Sequence, residues 1–253
     1  MIKRIFSIFN FHTIIIVGEA VGVFYLFKHI NLEMSVNFDI ISIAIIFPLV
    51  FTITGAFNKR QDSLKYLSVF RTKVITLQNI FEAVEGVTKE DKTKLSEILI
   101  DLEKYSFSLL KGRKKYSIIG LRKFSKEIYK LTLDNLSKFN DREKDSMIRV
   151  KNEVFENMEN LNALQSHGTP ITLRTYCLVF IYLFPLIYTP SLIEGIKSSI
   201  SDYQDVISLG FTILISFTLI ALYNIQNYIE NPFDQKGFDD VKLNEFKLKE
   251  EEI

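Results

Sequence analysis

Tryptophan is missing from these 253 residues, cysteine occurs once and histidine three times. Each shortage removes a class of explanation. The lone thiol, Cys177, has no second cysteine to pair with and lies in an apolar run, so it says nothing about redox compartment. His12, His29 and His167 are far apart and lack metal-ligand spacing. There is no P-loop, no nucleophile elbow and no glycine-rich dinucleotide turn, so the sequence reads as a non-enzyme. Charge of one sign is lacking too. Against 31 basic residues stand 30 acidic ones, a net charge of +1, and nothing points to nucleic acid.

What is present is apolar surface in long runs. Hydrophobic residues make up 47% of the chain and charged residues 24%, too apolar for an ordinary soluble domain and too charged for an all-membrane bundle. The mixture predicts several membrane spans plus a polar portion.

The most informative run is DIISIAIIFPLVFTITGAFNKR, from Asp39 to Arg60. Between Ile40 and Phe57 it carries no charge. It is long enough to cross a hydrocarbon core, for which ~20 helical residues suffice. Ile43, Phe47 and Phe51 recur every four residues and stack along one helical stripe, with Ile41 and Ile45 pointing away. That stripe is either the wall of an ion pore or a face turned to lipid or a neighbouring helix. Pro48 removes one backbone hydrogen bond and bends the axis, and the apolar run stops at Asn58-Lys59-Arg60.

Before this run, Lys3 and Arg4 precede an apolar segment reaching Phe27. No small-residue cleavage site follows it, which predicts a retained first span rather than a signal peptide. Glu19 lies inside that span, where a carboxylate needs a polar cavity or a partner. A short connection, Lys28 to Asn37, leads to the second span. After it, from Gln61 to Leu164, apolar residues recur at helical spacing among many charges, predicting a helical polar domain. Thr88 and Asp91 have capping-box spacing at the start of one helix. The basic cluster Lys111, Arg113, Lys114 and Lys115 reads as a solvated turn, with contact to lipid headgroups the alternative. Gly168 and Pro170 break the pattern. A third span with Pro185 in its middle follows and is expected to be closed by Pro190 and the polar segment EGIKSSISDYQD, and a fourth runs from Val206 to Ile225.

Most basic residues lie between Lys59 and Lys151, whereas the connections after spans one and three hold Lys28 and Lys197. This asymmetry puts both termini and the helical middle on the cytoplasmic side of the cell membrane. The fold class is therefore all-α: four transmembrane helices with a helical cytoplasmic domain. The expected divisions are 1–60, 61–168, 169–229 and 230–253.

These features resemble the bestrophin family of pentameric channels, including its short prokaryotic branch. Ile43, Phe47 and Phe51 fall on the family's three hydrophobic neck positions. Ala56-Phe57 and Lys59 occupy places where members have a small residue, an aromatic and an arginine, which sets Lys59 at the cytoplasmic end of the pore helix. Asn231-Pro232-Phe233, followed by Asp239 and Asp240, is similar to the family's NPF or DPF segment with its downstream acids, and TPITLRTY before the third span is similar to prokaryotic members. The family's glycine after Pro-Phe is Asp234 here.

The resemblance implies a homopentamer in membrane lipid that conducts chloride or other small anions through the neck. The loop from Asn231 through Asp234 to Asp240 would adjust gating. The acidic run of the calcium-gated animal members is reduced to Asp234, Asp239 and Asp240, so Ca2+ at Asp239 and Asp240 is the one cofactor it suggests. DQKGFDD lacks the EF-hand ligand spacing. A phenylalanine presents a positive edge to anions and a negative face to cations, so the neck suits either ion sign, and some prokaryotic relatives conduct cations. A membrane-anchored helical scaffold without conduction is the remaining alternative.

Overall fold

A computed structural model of the chain describes residues 9–32, 39–197, 203–235, 237 and 239–249, with the side chains of 39–41 and 197 excepted. Lys3, Arg4 and Asn37, and the side chains of Ile41 and Lys197, lie outside the described residues. Among those described, all regular structure is helical. The helices are α1 Phe11–His29, α2 Asp39–Ala83, α3 Lys89–Leu110, α4 Ile118–Asp134, α5 Asp141–Ser166, α6 Ile171–Lys197 and α7 Gln204–Ile229. Short 3-10 turns span Leu136–Lys138 and Leu243–Phe246.

The chain divides into two compact units. One comprises Met1–Phe57 with Thr169–Glu230; the other comprises Asn58–Gly168 with Asn231–Ile253. Helix α2 belongs to the first unit up to Phe57 and to the second from Asn58.

In the first unit α1, α6 and α7 pack on one another and on the start of α2. Ile16, Ile45, Leu49, Cys177, Ile181, Phe184 and Ile220 form its core. Asn10 opens α1 with a capping box: its side chain accepts from the Thr13 N–H, and the Thr13 hydroxyl accepts from the Asn10 N–H. The Asn10 side chain also donates to Asn224 at 2.7 Å, and Asn224 donates to the Thr13 hydroxyl at 3.0 Å, tying the start of α1 to α7.

In the second unit α3, α4 and α5 pack with the rest of α2 around Leu67, Phe70, Val74, Phe81, Leu99 and Val154. The side chain of Thr88 caps α3 by accepting from the Asp91 N–H, and Asn140 with Glu143 forms a full capping box on α5. Helix α3 ends in a Schellman motif: the Gly112 N–H reaches the Leu109 carbonyl and the Arg113 N–H reaches the Ser108 carbonyl. Gly112 has φ +68°, a conformation that disfavours any side chain.

Gly120 marks a close approach of α3 and α4. A Cβ there would lie 1.8 Å from the Tyr105 hydroxyl and 2.4 Å from its Cζ. Tyr105 has little freedom to retreat. It bonds the Ser117 N–H and carbonyl at 3.1 Å each and rests against the Tyr116 and Phe124 rings. Gly120→Ala is therefore expected to cost about 1–3 kcal/mol through forced overpacking. Thermal unfolding measures it, and Tyr105→Ala in the same chain should recover part of the loss by emptying the space.

Two helices run further than the local sequence suggests. The apolar run ends at Asn58-Lys59-Arg60 but the helix does not: α2, 45 residues in all, continues unbroken to Ala83. The end of an apolar run marks a change of surroundings. Lys and Arg are good helix formers, and no glycine or proline follows until Gly86, so the backbone has no reason to stop. Helix α6 passes both Pro185 and Pro190 and ends at Lys197, so of the two features expected to close the third span the polar segment does so and Pro190 does not. A proline within a helix kinks it where neighbouring groups can re-satisfy the freed carbonyl, as membrane helices allow.

Candidate functional site

The first unit's stretch of α2 has two faces of different character. Ile45, Leu49, Thr52 and Ala56 are all within 2% of complete burial, whereas Ile43, Phe47 and Phe51 are 58%, 60% and 60% exposed. Residues spaced by four on a helix share a face, so the exposed set forms one ridge rising about 12 Å from Ile43 to Phe51. The Phe47 and Phe51 rings meet edge to face with centroids 5.2 Å apart. Ile46 and Val50 are also exposed and broaden the ridge into a wholly apolar band. A band of this kind has two uses: it meets lipid or another chain, or it lines a constriction that sheds water.

Lys59 is half-buried on α2, and its carbonyl accepts from the Ser63 hydroxyl at 2.8 Å. Glu19 is half-buried on α1, two turns from His12, whose ring bonds the Tyr182 hydroxyl at 2.7 Å. Lys28 and Asp205 form an ion pair.

The segment after α7 is built around Phe233, which is fully buried in the core of the second unit with Val241 and Leu243. Pro232 is buried as well, and its carbonyl accepts from the Val241 N–H at 2.8 Å, closing the intervening loop. Asn231 is exposed and Asp234 half-buried. Inside the loop, Asp240 accepts from the Gly237 N–H at 2.9 Å, and the Gln235 amide donates to the Val241 carbonyl at 2.8 Å. The Asp239 carbonyl accepts from Arg60 Nε at 2.5 Å, which fixes the loop to α2.

Calcium takes six to eight oxygen ligands. The loop offers the half-buried Asp234, the exposed Asp239 and an Asp240 carboxylate already bonded within its own turn. Among the described residues, no three His, Cys, Asp or Glu side chains converge on one point. The donor set falls short of a calcium cage, and the loop's visible job is a turn held against α2. An Asp239→Ala, Asp240→Ala double variant is expected to leave any calcium response of the protein unchanged. Loss of such a response on substitution would restore the ion to the loop.

Sequence reasoning missed Glu230, the residue just before Asn231. Its carboxylate accepts from the Thr169 N–H at 2.6 Å, the Thr169 hydroxyl at 2.8 Å and the Gln226 amide at 3.0 Å, joining the start of α6 to the end of α7. Arg174 bonds Asn227 nearby in the same unit. The available signal was a carboxylate at the end of the fourth span with Thr169-Pro170 opening the third.

Outside the apolar helices, burial raises the Glu103 carboxyl above its ordinary range and lowers the Lys151 ammonium below its own.

The class defined by these features is an all-α protein with four helices long and apolar enough to cross a membrane and a helical unit beside them in the sequence. Its fold is bestrophin-like. The chain is similar to the crystal structure of a bacterial bestrophin homolog from Klebsiella pneumoniae, with a TM-score of 0.70 and 14% identity, 93% of each chain being covered. A point variant of that homolog matches with a TM-score of 0.66 and 15% identity over 96% of this chain and 94% of the other. A crystal structure described as a membrane protein matches with a TM-score of 0.70 and 15% identity, covering 93% of both chains. No protein-family model matches the chain, and no curated protein matches it in sequence.

Proposed function

We propose that this protein is the subunit of a homo-oligomeric ion channel of the cell membrane, a pentamer by likeness, conducting chloride or other small anions. The observation that carries the reading is the sidedness of α2. Ile43, Phe47 and Phe51 stand exposed on a helix whose opposite face, with Ile45 and Leu49, is buried in its own chain. A single chain brings one such ridge and cannot enclose an axis with it. Several copies joined head to tail around an axis close a ring.

In that ring each of the three positions forms an apolar collar. A narrow apolar tube expels water, and an ion that would lose its hydration there is stopped until the tube widens. Phenylalanine edges facing the lumen offer a partly dehydrated anion positive charge without a fixed cation. The loop from Asn231 to Asp240, seated on the second unit through Phe233 and on α2 through Arg60, is suited to adjust the neck helix. Both termini are read as cytoplasmic.

The test joins mass to current. Detergent-purified protein is expected to run as an oligomer by mass measurement and to conduct in a planar bilayer. In asymmetric KCl the reversal potential is expected on the chloride side of zero. Reversal on the potassium side would make it a cation channel of the same build. An oligomer that stays silent in the bilayer would be a scaffold, and a conducting monomer would remove the ring.

A further inference from the structure

The second unit holds a cavity of about 730 Å³ that plays no part in the pore reading. One wall is a face of α3, where Ser96, Ile100, Glu103, Phe107 and Lys111 follow one another at helical spacing. The other is the C-terminal segment, with Asn244, Lys247, Leu248 and Lys249. The Leu248 N–H donates to the Glu103 carboxylate at 3.3 Å, and Leu243 is fully buried, so this second wall is anchored. The Schellman turn at Gly112 directs the chain so that both Lys111 and Arg113 line the cavity.

The charges of the lining are one-sided. Lys104, Lys111, Arg113, Lys247 and Lys249 line it beside one carboxylate, Glu103, which is 6% exposed, and of these Lys104 is paired outside the lining with Asp101 at 3.3 Å. Among the described residues, neither Lys111 nor Arg113 forms an ion pair. A cleft with low-dielectric walls concentrates a potential of one sign and draws in the opposite charge. The floor is different: Ile100, Phe107 and Leu248 are apolar. The volume is that of a site for a small organic molecule, typically ~300–1,000 Å³, and exceeds what a lone chloride or phosphate fills. Arginine's fork and lysine's point charge are the donors that phosphate oxygens take.

We propose that this cavity binds an organic polyphosphate, with Lys111 and Arg113 taking phosphate oxygens and Phe107 and Leu248 receiving the ligand's apolar or ring portion. The same chemistry is offered by a soluble nucleotide and by a phosphorylated lipid headgroup. Glu103 lowers the affinity for an anion while holding the C-terminal wall through Leu248. Burial that favours its neutral form lessens that opposition.

The experiment uses the full chain in detergent. Calorimetry is run with inorganic tripolyphosphate and with adenosine triphosphate, beside flotation with phosphatidylcholine vesicles carrying or lacking phosphatidylinositol bisphosphate. Saturable binding of the soluble probes, tighter for the nucleotide than for tripolyphosphate, supports the site with a soluble ligand. Binding confined to the phosphoinositide vesicles supports the same site with a lipid source, provided the charge variant abolishes it. Lys111→Gln with Arg113→Gln is expected to weaken binding by at least about tenfold, since each charge-assisted hydrogen bond contributes more than a neutral one. Glu103→Gln keeps an acceptor for the Leu248 N–H and removes the one carboxylate, so it is expected to tighten binding severalfold. Opposite signs from the two variants separate electrostatics from damage to the fold, and thermal unfolding of each confirms that it is folded. Failure of every probe to bind, equal binding by wild type and the double variant, or weaker binding by Glu103→Gln overturns the proposal.

Discussion

The triple variant Ile43→Ala, Phe47→Ala, Phe51→Ala is expected to pass several-fold larger unitary current than the wild type and to close poorly. Truncation removes side-chain volume at three levels of the proposed tube, and each loss is repeated in every subunit. A wider passage with less apolar wall no longer favours drying, so water persists and the barrier falls. Ion sign is expected to change little if it is set elsewhere along the path. The control is Ile45→Ala with Leu49→Ala, because both side chains are buried in the chain's own core. Each of these is expected to lower stability by about 2–5 kcal/mol through cavity formation, with conductance retained in the protein that remains folded. Single-channel recording and thermal unfolding on the same preparations give both readouts. If the two variants alter current equally, the ridge has no special relation to the ion path.

Phe233→Ala should produce the largest loss of stability of any single change after α7, about 3–5 kcal/mol. The ring is fully buried in the core of the second unit, in the same cluster as Phe81, Leu99 and Val241. Its removal leaves a cavity and frees the loop that Pro232, Val241 and Arg60 otherwise hold. Asn231 is exposed, so Asn231→Ala is expected to change stability by less than about 0.5 kcal/mol. Denaturant unfolding of the two variants separates them. Equal midpoints would mean the loop is held by its backbone bonds rather than by the aromatic anchor.

Much of this fold was legible because hydropathy reports surroundings directly. Four long apolar runs, and the neck and NPF segments in their order, pointed to a four-span all-α chain of bestrophin-like fold, which is the fold seen. The boundaries were less legible, for a physical reason. At Asn58-Lys59-Arg60 and at Pro190 the sequence changes its solvent preference or loses one amide hydrogen, yet neither change opposes helical backbone strongly enough to end it.

Contacts between residues distant in sequence were invisible. Arg60 meets Asp239, and Glu230 meets Thr169, through polar groups that no periodicity marks. The close approach at Gly120 depends on where Tyr105 points, which the helical pattern of α4 leaves unstated. The ridge of α2 shows the opposite case. Spacing by four placed Ile43, Phe47 and Phe51 on one face and Ile45 on another, and burial of Ile45 separates the faces by the same rule.

A thiol placed on the ridge reports directly whether the ridge faces the ion path. Cys177, the chain's one cysteine, is buried, so the wild-type protein is a quiet background for charged thiol reagents. Phe47→Cys and Ile45→Cys are recorded in planar bilayers before and after a charged methanethiosulfonate reagent, with labelling followed by mass spectrometry. Phe47→Cys is expected to be labelled and its current to change abruptly on labelling, while Ile45→Cys resists labelling and its current is unaltered. A Phe47→Cys channel that is fully labelled yet conducts as before would put the α2 ridge outside the ion path.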